Sequence, residues 1–321
     1  MKTNIGKFEI WDTLRKLQKR VAFHRAVSVF SSGVFFLLVC FLRVAVEAAG
    51  KDKGIPVLFA GIAIAFFALL GMKVSYSKYK RYYAFLKEAY KECVFDWAAD
   101  GLFDTYVYYP KSGYDREFIR DTGMILMAKG FESEDLVEGA YKGVSFRRAD
   151  VRVFSEKSNE RHFNTKGTWY VFAFPEPVVS EMLIVSRKFA HADTEARFQR
   201  STDLRHPFET GDIPFDRLFE CTCQDDAEAF SVLTPEFRRK LMELKEKLGC
   251  PILLGFRKNM LHVVIQTGEN RLDPPVFGDM KLDAELEKTR DELRTICEIT
   301  DALGMDRTGA ETDGIHLRRQ N

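Results

Sequence analysis

GIPVLFAGIAIAFFALLGMKVSYSKYKRYYAFLKEAYKECVF, residues 54–95, changes character at Lys73. Nineteen uncharged residues, 54–72, give way to a stretch dense in lysine, arginine and tyrosine. A membrane span needs about 20 apolar residues, with a working range of about 17–25, and the uncharged part meets that limit. A second uncharged run, AVSVFSSGVFFLLVCFL (26–42), lies upstream. Arg43 follows it, and a long arginine stem can reach the interface while Val44 and Val46 extend the apolar stretch. Two adjacent uninterrupted runs argue against a pair of soluble core helices. They predict a transmembrane hairpin with spans at about 26–46 and 54–72, joined by a short turn.

Lysine and arginine set the expected orientation. Residues 1–25 carry seven basic and two acidic side chains, and residues 73–94 carry six and two. The connector adds only Lys51 and Lys53 beyond Arg43. The positive-inside rule places both flanks in the cytosol and the connector outside. A cleaved signal peptide is the rival reading of the first run. Its basic region would be long, charged residues would crowd the cleavage point, and no A-x-A pattern is present. The second span would deliver residues 73–321 to the cytosol in either case.

With the chain at +1 overall and the flanks basic, residues 95–321 carry about nine net negative charges. An acidic domain is a poor nucleic-acid binder, because phosphate neutralisation dominates that affinity. The six cysteines include no C-x-x-C pair, and cytosolic thiols stay reduced. Cys221 and Cys223 form C-x-C in a strand-like stretch and should share one face as buried free thiols.

Residues 1–94 read as the hairpin with helical extensions into the cytosol. Phe8, Trp11, Leu14, Leu17 and Val21 recur at helical spacing before the first span, and Val74, Tyr79, Tyr82, Leu86, Tyr90 and Cys93 after the second. The matching stripes predict an antiparallel stalk; the alternative is a first segment lying flat in the membrane interface. Residues 95–304 read as an α+β domain with a largely antiparallel sheet and flanking helices. Strand patterns fall at 102–109, 144–154, 168–174, 181–189 and 216–223, with a hairpin over 252–265. LTPEFRRKLMELKEKLG predicts a helix with Thr234 as N-cap, Pro235 at its first position and Gly249 beyond its end. A last helix is expected at about 282–303, and residues 305–321 read as a disordered tail.

FDRLFECTCQDDAEAFSVLTPEF, followed by ILLGFRKNMLHVVI, resembles an uncharacterised bacterial family, domain of unknown function three-one-three-seven. The shared pattern is a strand, an acidic step at Asp226-Ala-Glu228-Ala, then Leu-Thr-Pro opening a helix. SEDLVEGAYKGVSF (133–146) resembles the family's acidic-Gly segment before a strand. The resemblance implies two N-terminal spans followed by a cytosolic β-rich domain, and hence a bacterial inner-membrane protein with both termini inside. It supplies no catalytic residues to carry over.

No nucleophile elbow, H-E-x-x-H, Walker loop or G-x-G-x-x-G occurs. No cofactor or metal is expected, and the catalytic residues, if any, are unknown. His162, His191, His206 and His262 lack metal-site spacing, and His262 reads as a satisfied sheet histidine. Asp225, Asp226 and Glu228 read as capping, solvated carboxylates rather than an acid site. The loop 187–206 offers candidate membrane-surface contacts in Arg187, Lys188, Arg197, Arg200 and Arg205, beside His206 and Phe198. A solvated loop, partly neutralised by Asp193, Glu195 and Asp203, is the bland alternative. Two function classes follow: a membrane-anchored binding or scaffold module with lipid and another protein as partners, or a membrane-tethered hydrolase-like enzyme. A polar pocket joining His262 or His206 to a carboxylate would favour the enzyme; an exposed sheet edge would favour binding.

Overall fold

The computed structural model describes residues 2–125, 127–154, 164–173, 181–189, 205–257 and 259–305. The chain divides into two compact units. One comprises Met1–Trp97 with Asp273–Glu287, and the other Ala98–Leu272 with Lys288–Asn321.

The first unit is built on α1 (Lys2–Ala99), a helical run broken at Gly50, where φ is 70° and ψ −178°. A side chain rarely tolerates that positive φ, so a glycine lets the chain reverse within one residue. The two arms run antiparallel: Gly61 lies against Leu42, and further from the turn Gly71 lies 3.5 Å from Ser31 Oγ for an added Cβ. At Gly61 that Cβ would overlap the leucine side chain, so glycine permits the close approach. Both arms contain windows long and apolar enough to cross a membrane, in Gly6–Leu42 and Gly54–Ala99, with mean hydropathies of 2.0 and 2.5.

Away from the turn the same arms face each other through Trp11, Leu14 and Val21 on one side and Leu86, Tyr90 and Val94 on the other. His24 stacks on Tyr82, and Arg25 lies 5.1 Å from the Tyr79 ring centre. This is the expected stalk, with a third partner that sequence patterning did not suggest. Met280, Val276, Leu282 and Leu286 pack into its cluster. The segment is fixed by Arg15 to Asp279 (2.9 Å), Tyr90 Oη donating to Glu285 (2.7 Å), and Lys87 and Lys91 on Asp273 (3.0 and 3.1 Å).

The second unit holds a nine-stranded sheet in the order β1-β2-β3-β4-β9-β8-β5-β7-β6, antiparallel throughout. The strands are β1 (Thr105–Tyr109), β2 (Gly130–Tyr141), β3 (Val144–Phe154), β4 (Asn164–Ala173), β5 (Met182–Ser186), β6 (His206–Phe208), β7 (Phe219–Cys223), β8 (Ile252–Arg257) and β9 (Met260–Ile265). The α+β expectation is met. Among the described residues, five helices accompany the strands: α2 (Arg116–Asp121), α3 (Ile213–Leu218), α4 (Asp226–Val232), α5 (Pro235–Leu248) and α6 (Leu282–Leu303). Alternation along the strands gives the sheet two faces. One carries Ala149, Val151, Val153, Trp169, Val171, Leu183, Leu253 and Val264, which form a core with Tyr114, Ile119 and Met124.

α5 has the caps its sequence specifies. Thr234 accepts from Phe237 N, and Gly249 closes the helix at φ 64°. Phe237, Leu241 and Leu244 are its buried stripe. Other boundaries differ from the sequence expectation. The strand expected at 216–223 starts at 219, because Asp212 caps and Pro214 opens a short helix that consumes 213–218. β4 starts at 164, so the end of the polar stretch 157–167 belongs to the sheet; 155–163 lie outside the described residues. β2 was not expected as a strand: its sequence, GFESEDLVEGAY, is acidic, and a bulge between Glu134 and Val137 breaks its alternation. Met305, assigned to the tail, is buried and donates its N–H to Thr300 O; residues 306–321 lie outside the described residues.

Candidate functional site

Of the basic loop singled out in the sequence, Arg197, Arg200 and Phe198 lie outside the described residues. Arg187 is held against the sheet, 2.7 Å from Glu220 Oε1 and donating to Asp216 O at 2.9 Å. Lys188 beside it is exposed, and Arg205 is half-buried immediately before β6.

The end of that loop enters a cluster which the sequence reading did not assemble. β6 pairs with β7 so that His206 stands opposite Cys223. Asp226 opens α4 three residues later. His206 Nε2 lies 2.7 Å from Asp226 Oδ1, and the Cys223 thiol donates to the same oxygen at 3.3 Å. His206 and Asp226 are exposed, whereas Cys223 is buried beneath them. Its neighbour Asp225 performs the expected capping, accepting from the N–H groups of Ala227 and Glu228. The hydrogen bonds from His206 and Cys223 hold the Asp226 carboxyl below its ordinary pKa. Burial and the adjacent Asp226 push the Cys223 thiol up to about 12. That thiol is no activated nucleophile, since the thiolate is the reactive form. Cys221, on the same face of β7, is likewise buried and pushed up to about 12 by burial and Asp216.

A second polar cluster is sealed inside the sheet unit. Arg148 on β3 is fully buried, with Nη2 2.7 Å from Asp150 Oδ1 and 2.8 Å from Glu292 Oε1 on α6. Thr168 and Tyr170 on β4 donate to Asp150 and Glu292 at 3.2 and 3.4 Å. Asp135 sits at the β2 bulge with φ 63°, and its carbonyl accepts from Arg148 Nη1 while its carboxylate accepts from Tyr108 at 2.6 Å. The bulge thus re-aims one residue into the network. Burial favours the neutral form of Glu292, but Arg148 and Arg271 outweigh it and hold the carboxyl below its ordinary pKa. The sequence signal was present, as Arg148 and Asp150 share one face of a strand, but nothing in the sequence names Glu292 as their partner.

His262 is buried, as the sheet-histidine reading expects. Its Nδ1 accepts from Trp169 Nε1 at 3.2 Å, so the ring is the neutral tautomer with the proton on Nε2. Burial, with a smaller contribution from Arg257, lowers its pKa to about 4.

Residues 163–305 match the family model described as "Protein of unknown function (DUF3137)". The match covers β4 to α6, in agreement with the resemblance carried by the C-x-C strand and the Leu-Thr-Pro helix. No curated protein and no solved structure matches the chain. The DUF3137 segment contains His206, Cys223, Asp226, His262 and Glu292, whereas Arg148, Asp150 and the whole of α1 precede it.

Proposed function

We propose that the protein is a membrane-anchored binding module, with the arms of α1 crossing the bilayer, both arm ends cytosolic, and the sheet unit binding a protein partner at the membrane surface. The observation that carries this reading is the outward apolar belt of the hairpin. Phe30, Phe36, Phe59 and Phe67 are 73%, 67%, 68% and 68% exposed, and only 6% of each apolar window is buried. Soluble monomers rarely expose contiguous apolar patches above a few hundred Å². Core helices would bury these residues; a lipid solvent accepts them.

Binding is preferred to catalysis on two grounds. His206 meets Asp226 in the open, and His262 meets an indole instead of a carboxylate. Meanwhile β1 lies at an edge of the sheet with Val107 and Tyr109 exposed, the kind of edge to which a partner can add a strand. The test of anchoring is alkaline carbonate washing of membranes from cells expressing the full chain. The protein should stay in the pellet, and a variant lacking 26–72 should not. Release of the full chain into the supernatant would overturn the reading.

A further inference from the structure

We propose that His206, Cys223 and Asp226 form a binding site for a zinc-like divalent ion with one coordination position left open. Three elements converge on it: β6 supplies the imidazole, the end of β7 the thiol, and the first turn of α4 the carboxylate. Their ligand atoms all lie within 4.8 Å of one another. The β6–β7 register, which sets His206 opposite Cys223, fixes two of the three independently of side-chain detail.

The spacing suits a tetrahedral ion. Zinc–nitrogen, zinc–oxygen and zinc–sulfur bonds of about 2.0–2.3 Å place tetrahedral ligand atoms roughly 3.4–3.6 Å apart. The observed contacts are 2.7 Å between His206 Nε2 and Asp226 Oδ1, and 3.3 Å between Cys223 Sγ and the same oxygen. An ion entering between them needs each contact to open by less than about 1 Å, because the metal bonds replace the hydrogen bonds. As the sulfur–metal bond forms, the thiol releases its proton to solvent. Where Nε2 carries a proton, it is released or moves to Nδ1.

The donor set selects the ion. One nitrogen, one sulfur and one carboxylate oxygen favour zinc over magnesium or calcium, which take oxygen. The acidic first turn, with Asp225 and Glu228 beside Asp226, offsets the positive end of the α4 dipole. Three protein ligands leave a fourth position facing solvent beside the exposed His206 and Asp226, as in zinc sites that hold water or an exogenous ligand. The ion would also pin β6, a three-residue edge strand, to α4.

The test uses the full chain purified in detergent, stripped of metal and titrated with Zn²⁺ and, as a spectroscopic probe, Co²⁺. The expected result is one ion bound per chain, a raised melting temperature, and a Co²⁺ spectrum with tetrahedral d–d bands and a thiolate charge-transfer band. Cys223→Ser should abolish the charge-transfer band, and His206→Asn and Asp226→Asn should each weaken binding at least tenfold. Cys221→Ser, two residues along the same strand, should leave binding and spectrum intact. Sub-stoichiometric binding, or binding unchanged in all three ligand variants, would overturn the proposal. If the ligand variants misfold, the wild-type Co²⁺ spectrum still decides: octahedral bands without thiolate charge transfer refute the site.

Discussion

The hairpin and the sheet unit invert the usual arrangement of side chains in opposite ways. The hairpin carries Phe36, Phe59 and Phe67 on its outside; the sheet unit carries Arg148, Asp150 and Glu292 inside. A globular protein in water ordinarily does neither. On the proposed function the hairpin's inversion is a matter of solvent, because residues unfavourable in water are favourable against lipid. It is also local: further from the turn, the same arms bury Trp11, Leu86 and Tyr90. The sheet's inversion is a matter of pairing. A buried guanidinium persists because two carboxylates and a carbonyl face it. The first inversion therefore depends on surroundings, and the second on every partner being present.

The largest expected effect breaks the second inversion. Arg148→Leu leaves Asp150 buried without its cation and Glu292 with Arg271 alone, and removing one member of a buried ion pair costs about 3–5 kcal/mol. That is a large share of the ~5–15 kcal/mol that holds a typical domain together. Denaturation of the full chain in detergent should show the loss, with partial recovery when Glu292→Gln is added. A variant as stable as the wild type would mean that the network is solvated.

The first inversion is broken by Ile62→Asp. Ile62 is 52% exposed and lies within the second apolar stretch. In lipid a charge there costs about 2.5–3.5 kcal/mol, and the membrane-inserted fraction should fall. Phe85, on the same arm, is 68% exposed but lies in the stalk. Phe85→Asp should be neutral to within about 0.5 kcal/mol. Equal behaviour of the two variants would remove the distinction between a lipid-facing and a water-facing half.

Buried His262 sharpens the same comparison through pH. Its pKa is about 4 in the folded protein against an ordinary 6.5, so the unfolded chain takes up the proton first. The stability associated with the neutral ring is complete above pH 6.5 and is lost as pH falls toward 4, by about 2 kcal/mol at pH 5. A protonated Nδ1 would turn a donor toward the Trp169 N–H donor. His262→Asn keeps an acceptor in place and should flatten the stability profile between pH 6.5 and 5. An unchanged slope would assign it to other groups.

The smallest effect is expected at Arg187, whose side chain is 51% exposed in its pair with Glu220. Exposed pairs contribute about 0.2–1 kcal/mol, so Arg187→Gln should barely shift the melting temperature. A loss above 2 kcal/mol would show that the pair is a structural tie.

What the sequence revealed follows from how local each signal is. The apolar runs, the Thr234 and Gly249 caps and the β3 pattern are each contained in a short stretch, and all three appear in the fold. The acidic β2 was illegible because its bulge disrupts the period-two pattern, so neither periodicity nor propensity marks it. The two polar clusters were illegible for another reason. His206 meets Cys223 and Asp226 only through the register of a three-residue edge strand, and Arg148 meets Glu292 across 144 positions of chain. Residue types name candidates, but register and long-range packing decide which of them meet.

The proposed topology, in which α1 crosses a membrane twice and leaves the sheet unit on the cytosolic side, can be tested with reporter fusions. Alkaline phosphatase, which is active only outside the cytosol, can be fused after Asp52 in the connector and after Asn321. The fusion after Asp52 should be active and the fusion after Asn321 inactive, with a fluorescent-protein fusion after Asn321 bright. Phosphatase activity after Asn321 would contradict that topology directly.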